Sequence, residues 1–239
     1  MSTKYIILTK SDEEEDQIIV LNKPHTYILP HTYLNYYAMN GLFEESLIKW
    51  CRQFCHTDKT FLDIGAHSGT YTISLAKYCK TVHSFEPQRM TYYSLCGSVA
   101  LSNINNAFCH NFGLGSEEQK GVQTLKIISN DGGGSSLHAT TNILKTESVA
   151  ITTLDSLDLE NIGFIKMDIE GNELEALKGA VETIQKSQYP KILFESNDKN
   201  KDLFSFIINM GYIIIDISGY PNMFLASYEK PLVDPNLGE

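Results

Sequence analysis

Several features that would commit a chain to a specialised class are missing from these 239 residues. No uninterrupted apolar run reaches the ~18 residues a membrane-spanning helix needs. Met1-Ser2-Thr3-Lys4 leads into only a short apolar stretch before the acidic segment Asp12 to Asp16, so no secretory leader is expected and the chain reads as cytoplasmic. Basic residues are in deficit: 19 Lys and Arg against 29 Asp and Glu give a formal net charge of −10, and no basic stripe stands out. That balance repels phosphate backbones and anionic bilayers, so neither nucleic acid nor membrane is expected as a partner. The five cysteines, Cys51, Cys55, Cys79, Cys96 and Cys109, are odd in number and scattered, which is no disulfide framework. Cys51 and Cys55 lie one helical turn apart, but without matching Cys or His partners they make a poor zinc site, and no resident metal is expected.

What is present is an ordinary globular composition, 42% hydrophobic and 10% aromatic. A chain of this length buries roughly 70–75% of its unfolded surface without staples. Residues 1–40 read as an N-terminal β extension. In it Tyr5 to Leu8 and Gln17 to Leu21 are expected to form a hairpin around the acidic turn, ahead of an aromatic stretch in which His25-Thr26-Tyr27 recurs as His31-Thr32-Tyr33. From 41 to 230 strand and helix alternate: helix 42–54, strand 60–64, helix 69–79, strand 81–85, helix 89–102, strand 107–112, strand 164–167, helix 172–185, strand 191–194, helix 202–210, and a closing pair 212–217 and 222–228. This spacing predicts an α/β fold with a mostly parallel sheet covered on both faces. The closing pair turns at Gly219-Tyr220-Pro221 and supplies an antiparallel terminal strand. Around 121–150 two extra strands flank the glycine-rich segment Gly132-Gly133-Gly134-Ser135-Ser136, an insertion that reads equally as a mobile loop over a ligand or a flexible connection. Residues 231–239 form a tail.

The chemistry concentrates at strand ends. Phe61-Leu62-Asp63-Ile64-Gly65-Ala66-His67-Ser68-Gly69-Thr70 is a strand ending in an acid and a glycine turn. It fails the dinucleotide fingerprint G-x-G-x-x-G, because His67 and Thr70 stand where glycines would admit a pyrophosphate. Asp63 adds negative charge at the same mouth, which suits a sulfonium better than a diphosphate. Glu86, in Ser84-Phe85-Glu86-Pro87, lies 21 residues past Gly65, where nucleoside-binding α/β domains place the carboxylate for two ribose hydroxyls. Asn111 and Phe112 end the next strand and are placed to meet an adenine. In Gly163-Phe164-Ile165-Lys166-Met167-Asp168-Ile169-Glu170-Gly171-Asn172-Glu173, strand alternation puts Lys166 and Asp168 on one face, where they should pair with each other or with Asp63. Glu195 ends the following strand; a ligand role and a plain surface role are evenly matched there.

The motifs Asp63 to Gly69, Phe85-Glu86-Pro87, Thr153-Leu154-Asp155-Ser156-Leu157 and Ile165 to Glu173 resemble the FkbM family of S-adenosylmethionine-dependent methyltransferases. The resemblance covers roughly 60–197 and implies a class I (Rossmann-like) methyltransferase with a seven-stranded sheet. It implies S-adenosylmethionine as cofactor, with Asp63, Ile64, Gly65, Ala66, Gly69 and Thr70 around its methionine part, Glu86 and Pro87 at its ribose and Asn111 beyond. Members typically methylate hydroxyl oxygens of sugars and related products. Asp168 and Glu170 are then the candidate proton acceptors, with Lys166 orienting a carboxylate.

Competing readings are an RNA methyltransferase, opposed by the acidic balance and by the absence of an Asp/Asn-Pro-Pro-aromatic segment; a metal-assisted O-methyltransferase using Asp168, Glu195 and Asn197; and a non-catalytic cofactor- or glycan-binding domain. Among the histidines only His138, near the glycines, is a candidate proton acceptor, and a homodimer is compatible with the sequence.

Overall fold

The computed structural model describes residues 5–8 and 25–227. In chain order the elements are β1 (Tyr5–Leu8), β2 (Tyr27–Pro30), α1 (Leu34–Asn40), α2 (Glu45–Cys51), β3 (Thr60–Ile64), α3 (Thr70–Leu75), β4 (Thr81–Phe85), α4 (Arg89–Leu101), β5 (Ala107–His110), β6 (Gly113–Leu114), β7 (Gly121–Ile127), β8 (Lys145–Thr152), β9 (Ile162–Met167), α5 (Glu173–Lys178), α6 (Val181–Lys186), β10 (Lys191–Glu195), α7 (Lys201–Asn209), β11 (Ile213–Ile217) and β12 (Tyr220–Ser227).

Seven strands form the main sheet in the order β11-β12-β10-β9-β3-β4-β5. β3, β4, β5, β9 and β10 run parallel, and β12 is antiparallel to both β10 and β11. β3 is central and buried along its whole length, which is why its sequence is a nearly continuous apolar run. Phe61 stacks on Phe164 on one face, while Leu62 and Ile64 join Ile165 and Met167 in clusters on the sheet's faces. The chain winds outward from β3 through β4 to β5, then returns to the other side of β3 as β9 and β10. Strand order therefore reverses at the β3/β9 seam, where ligands of open α/β sheets bind beyond the strands' carboxyl ends.

The insertion is a separate three-stranded sheet, β6-β8-β7. Tyr5–Leu8 pairs antiparallel with Tyr27–Pro30; Gln17 to Leu21, expected as its hairpin partner, lies outside the described residues, as does the tail 231–239. β2 is tied to the domain because Tyr27 and Leu29 are buried with Ile73, Leu95 and Val99, while the Ile28 N–H donates to the Ser98 hydroxyl of α4. The extension is thus sewn to the domain. The helix expected over 172–185 breaks at Gly179-Ala180 into α5 and α6. A Cβ on Gly179 would stand 2.1 Å from the Gly115 carbonyl oxygen, and the Asp155 carboxylate accepts the N–H groups of Glu182 (3.2 Å) and Thr183 (2.7 Å), capping α6. The aspartate of Thr153-Leu154-Asp155 is a helix cap.

At the seam Gly65 has φ +77°, and a Cβ there would lie 1.9 Å from the Asp168 carbonyl oxygen. Gly65→Ala is expected to cost on the order of 3 kcal/mol in urea unfolding, whereas Gly133→Ala, where a Cβ meets nothing nearer than 3.4 Å, should change stability by less than about 0.5 kcal/mol.

Candidate functional site

Asp63, the acid before the glycine turn, lies beneath the site and not in it. Its side chain is wholly buried; Oδ2 accepts from the Thr72 N–H (2.9 Å) and hydroxyl (2.6 Å), and Oδ1 stands 3.9 Å from Lys166 Nζ. The register that pairs Asp63 with Lys166 across β3 and β9 brings these charges together. Lys166 Nζ donates to the Gly65 carbonyl (2.9 Å) and sits 3.4 Å from Asp168 Oδ2. Burial alone would depress the lysine; Asp168, Asp63 and Glu44 together outweigh it and hold the ammonium at about 12. Burial raises Asp63, with Lys166 and Thr72 pulling the other way. One buried cation thus ties both strand ends to the glycine turn.

Above this network opens a cavity of about 650 Å³. Ile64, Gly65, Ala66, Thr70, Glu86, Pro87, Lys166, Asp168 and Glu170 line it, joined by Glu195. Gly69 and Asn111 do not: Gly69 turns the chain into α3 with φ +87°, and Asn111 is exposed, its amide donating to the carbonyls of Glu86 (3.0 Å) and Pro87 (3.1 Å). Asn111 buttresses the turn that carries Glu86. Phe112 packs against Phe85 and His110.

Glu86 is buried at the tip of β4 and accepts from the backbone N–H groups of His67 (3.0 Å) and Gln88 (2.8 Å). Burial outweighs those donors and raises its pKa to about 7. At β9 and β10, ligand oxygens of Asp168, Glu170 and Glu195 lie within 4.8 Å of one another, a spacing that could hold a cation. Burial, reinforced by Asp168 and Glu170, raises Glu195 to about 8. Asn197, expected as an oxygen donor to such a cation, instead accepts from the Asn222 amide at 2.8 Å. Glu173 points away as well: its carboxylate takes the Ile169 N–H (2.9 Å) and the Gly171 N–H (3.4 Å), closing the turn that carries Glu170.

The glycine-rich segment lines the cavity from Asp131 to Ser135 and is anchored. His67 Nε2 meets the Asp131 carbonyl at 3.0 Å; a carbonyl only accepts, so Nε2 carries the proton and Nδ1 accepts the Ser68 hydroxyl. Ser135 donates to the Gly132 carbonyl (2.8 Å) and Ser136 to the Glu170 carbonyl (2.7 Å). His138 is exposed, with Nε2 on Asn172 Oδ1, and does not line the cavity.

Sequence reasoning missed a part of the lining that comes from outside the sheet. Tyr33, Tyr37, Phe43 and Glu44, from the segment joining β2 to α2, line the cavity together with Tyr71. Tyr33, Tyr37 and Phe43 meet edge to face. Only the local density of aromatics between Tyr33 and Phe43 hinted at this part, and no spacing rule assigns such a run to a site.

A seven-stranded sheet with one antiparallel strand, a glycine turn opening onto an acidic cavity and an acid at the next strand tip define the class I S-adenosylmethionine-dependent methyltransferases. The family described as "Methyltransferase FkbM domain" matches residues 63–214, and the chain belongs to it. Among curated proteins, none matches. Among solved structures, the chain is similar to methyltransferase FkbM from Methylobacillus flagellatus (20% identity, TM-score 0.52), covering 72% of this chain and 44% of that one, so it spans less than half of that protein. It is also similar to an rRNA methylase from Streptococcus thermophilus (12%, covering 75% and 91%, TM-score 0.49). A third is a putative methyltransferase from Streptococcus mutans in complex with SAH (12%, covering 76% and 94%, TM-score 0.48).

The residues fit the cofactor: Gly65 leaves bare backbone at the seam where a Cβ would collide, Glu86 offers an acceptor carboxylate, and the acidic lining suits a sulfonium.

Two outcomes follow. A ribose hydroxyl donates to a carboxylate, so a ribose placed at Glu86 would need that group ionised. With its pKa near 7, S-adenosylhomocysteine should bind about tenfold more weakly at pH 6 than at pH 8 by calorimetry, and Glu86→Gln should flatten that dependence. Asp63→Ala should cost about 3 kcal/mol in urea unfolding by removing one of the two carboxylates that face buried Lys166 and the acceptor of the Thr72 N–H and hydroxyl, while Asp63→Leu combined with Lys166→Met should cost less than the single change.

Proposed function

We propose that the domain transfers a methyl group from S-adenosylmethionine to a hydroxyl oxygen of a sugar, glycan or related small molecule. The observation that carries this reading is the cavity's mixed lining, in which the aromatic rings of Tyr33, Tyr37 and Phe43 join the carboxylates of Asp168, Glu170 and Glu195. A sugar ring has apolar C–H faces to lay on rings and hydroxyls to donate to carboxylates, so it uses both kinds of group at once.

When bound, S-adenosylmethionine supplies an electrophilic methyl group on a positively charged sulfur, which departs as a neutral thioether. The chain's own work is threefold. Gly65, Ala66 and Thr70 with Glu86 and Pro87 hold the cofactor at the strand tips. Tyr33, Tyr37 and Phe43 fix the acceptor and exclude water, so that oxygen and methyl carbon meet in line. Asp168, steadied by Lys166 at 3.4 Å, takes the hydroxyl proton as the oxygen–carbon bond forms, with Glu170 beside it.

Charge narrows the acceptor. Glu44, Glu86, Asp131, Asp168, Glu170 and Glu195 surround the cavity, and Lys166 is the basic side chain in its lining. Phosphorylated acceptors, RNA among them, would be repelled; a neutral or amine-bearing sugar would not. A cytoplasmic location agrees with this reading, and no helix among the described residues is long and apolar enough to cross a membrane.

In a panel of neutral glycosides, amino sugars, sugar phosphates and RNA oligonucleotides, methyl transfer is expected to the first two groups only. Transfer confined to RNA would replace the reading. Asp168→Asn should lower kcat 10²- to 10³-fold while leaving the thermal shift given by S-adenosylhomocysteine intact. EDTA should leave the rate unchanged; activity lost to EDTA and restored by magnesium would recast the three carboxylates as cation ligands.

A further inference from the structure

Glu44 has no part in the roles assigned so far, and its placement is unusual. It immediately precedes α2 in a left-handed backbone conformation, φ 54°, uncommon for a residue with a side chain. Its carboxyl is half-buried in the cavity lining. The Tyr71 hydroxyl donates to Oε2 at 2.8 Å, and among the described residues no donor reaches Oε1. Tyr71 belongs to the first turn of α3, directly after the glycine turn, so Glu44 is held at the β3/β9 end of the cavity, away from the nucleoside carboxylate Glu86 on β4.

Three oxygen-bearing groups beside it already face a cation or are sealed off, while Glu170 and Glu195 stand with Asp168 at the β9 and β10 tips. The Gly65 carbonyl accepts from Lys166 Nζ at 2.9 Å, Asp168 faces the same ammonium at 3.4 Å, and Asp63 is sealed beneath. Burial raises the Glu44 pKa and the Tyr71 hydrogen bond and Lys166 lower it; a further cation at Oε1 would offset the burial. With the ribose at Glu86, the amino-acid part of the cofactor extends toward the seam, and the cationic group it carries there is an α-ammonium.

We infer that Glu44, held by Tyr71, is the carboxylate that receives the α-ammonium of the cofactor's amino-acid part, making the segment between β2 and α2 a part of the cofactor site. The inference rests on the assignment of S-adenosylmethionine and is independent of the acceptor.

The test is calorimetric binding of three probes to wild type, Glu44→Gln and Tyr71→Phe: S-adenosylhomocysteine, its decarboxylated analogue, which keeps the amine, and 5′-methylthioadenosine, which lacks the amino-acid part. Glu44→Gln should weaken the first two about tenfold or more and leave the third within twofold; Tyr71→Phe should show the same pattern at smaller amplitude. Equal loss for all three probes would mark Glu44 as merely structural, and unchanged binding, or loss for S-adenosylhomocysteine alone, would equally overturn the inference. Should Glu44→Gln fail to fold, Tyr71→Phe decides by the same selective pattern. If wild type binds none of the probes, the cofactor assignment itself fails, and the inference with it.

Discussion

The buried ammonium of Lys166 holds this molecule's working end together. An unpaired charge at such depth would cost several kcal/mol, so Asp63 below, Asp168 above and the Gly65 carbonyl alongside are consequences as much as companions. Because the three partners belong to β3, the residue just past β9 and the turn between β3 and α3, a single cation fixes the relation between glycine turn and carboxylates. Asp63 acts through that lysine: it sets where the cofactor's cradle stands without lining it.

Around this anchor the chain accumulates carboxylates that it does not neutralise. Glu86, Glu170 and Glu195 all have raised pKa values, with burial the largest cause in each. Such an arrangement costs stability in the free protein and is relieved by a cationic ligand. Stability is therefore expected to be greatest when these groups are protonated and to fall as pH rises through their folded-state pKa values, near 7 for Glu86 and near 8 for Glu195. A bound sulfonium would lower those pKa values and weaken that trend, which couples occupancy to folding.

The fold was legible in the sequence wherever periodicity is a local matter. β3 at 60–64 and β4 at 81–85 carry the expected bounds: β3 is buried along its length and ends at a glycine turn, and β4 alternates half-buried and buried positions up to Glu86-Pro87. Legibility failed where partners are distant. Nothing within Tyr5–Leu8 names Tyr27–Pro30 as its pair, and the break at Gly179 is set by a carbonyl 64 residues earlier, that of Gly115. The site divided in the same way. Residues at strand tips, Glu86 and Asp168 among them, follow from alternation and spacing; Asn111 was read as a ligand because its position along the sheet edge was right, while its side chain turned back to brace Glu86. Tyr33, Tyr37, Phe43 and Glu44 escaped because they sit in or beside the seven-residue helix α1, too short for a hydrophobic period to show, and in the turn that follows it.

The most direct measurement of the central claim is a crystal structure grown with S-adenosylhomocysteine. The account predicts the ribose hydroxyls on Glu86, the thioether sulfur at the β3/β9 seam and its open side turned toward Asp168 and the lining aromatic rings. A nucleoside lying against Asp168 and Glu195, with the amino-acid part at Glu86, or a ligand bound outside this cavity, would contradict it.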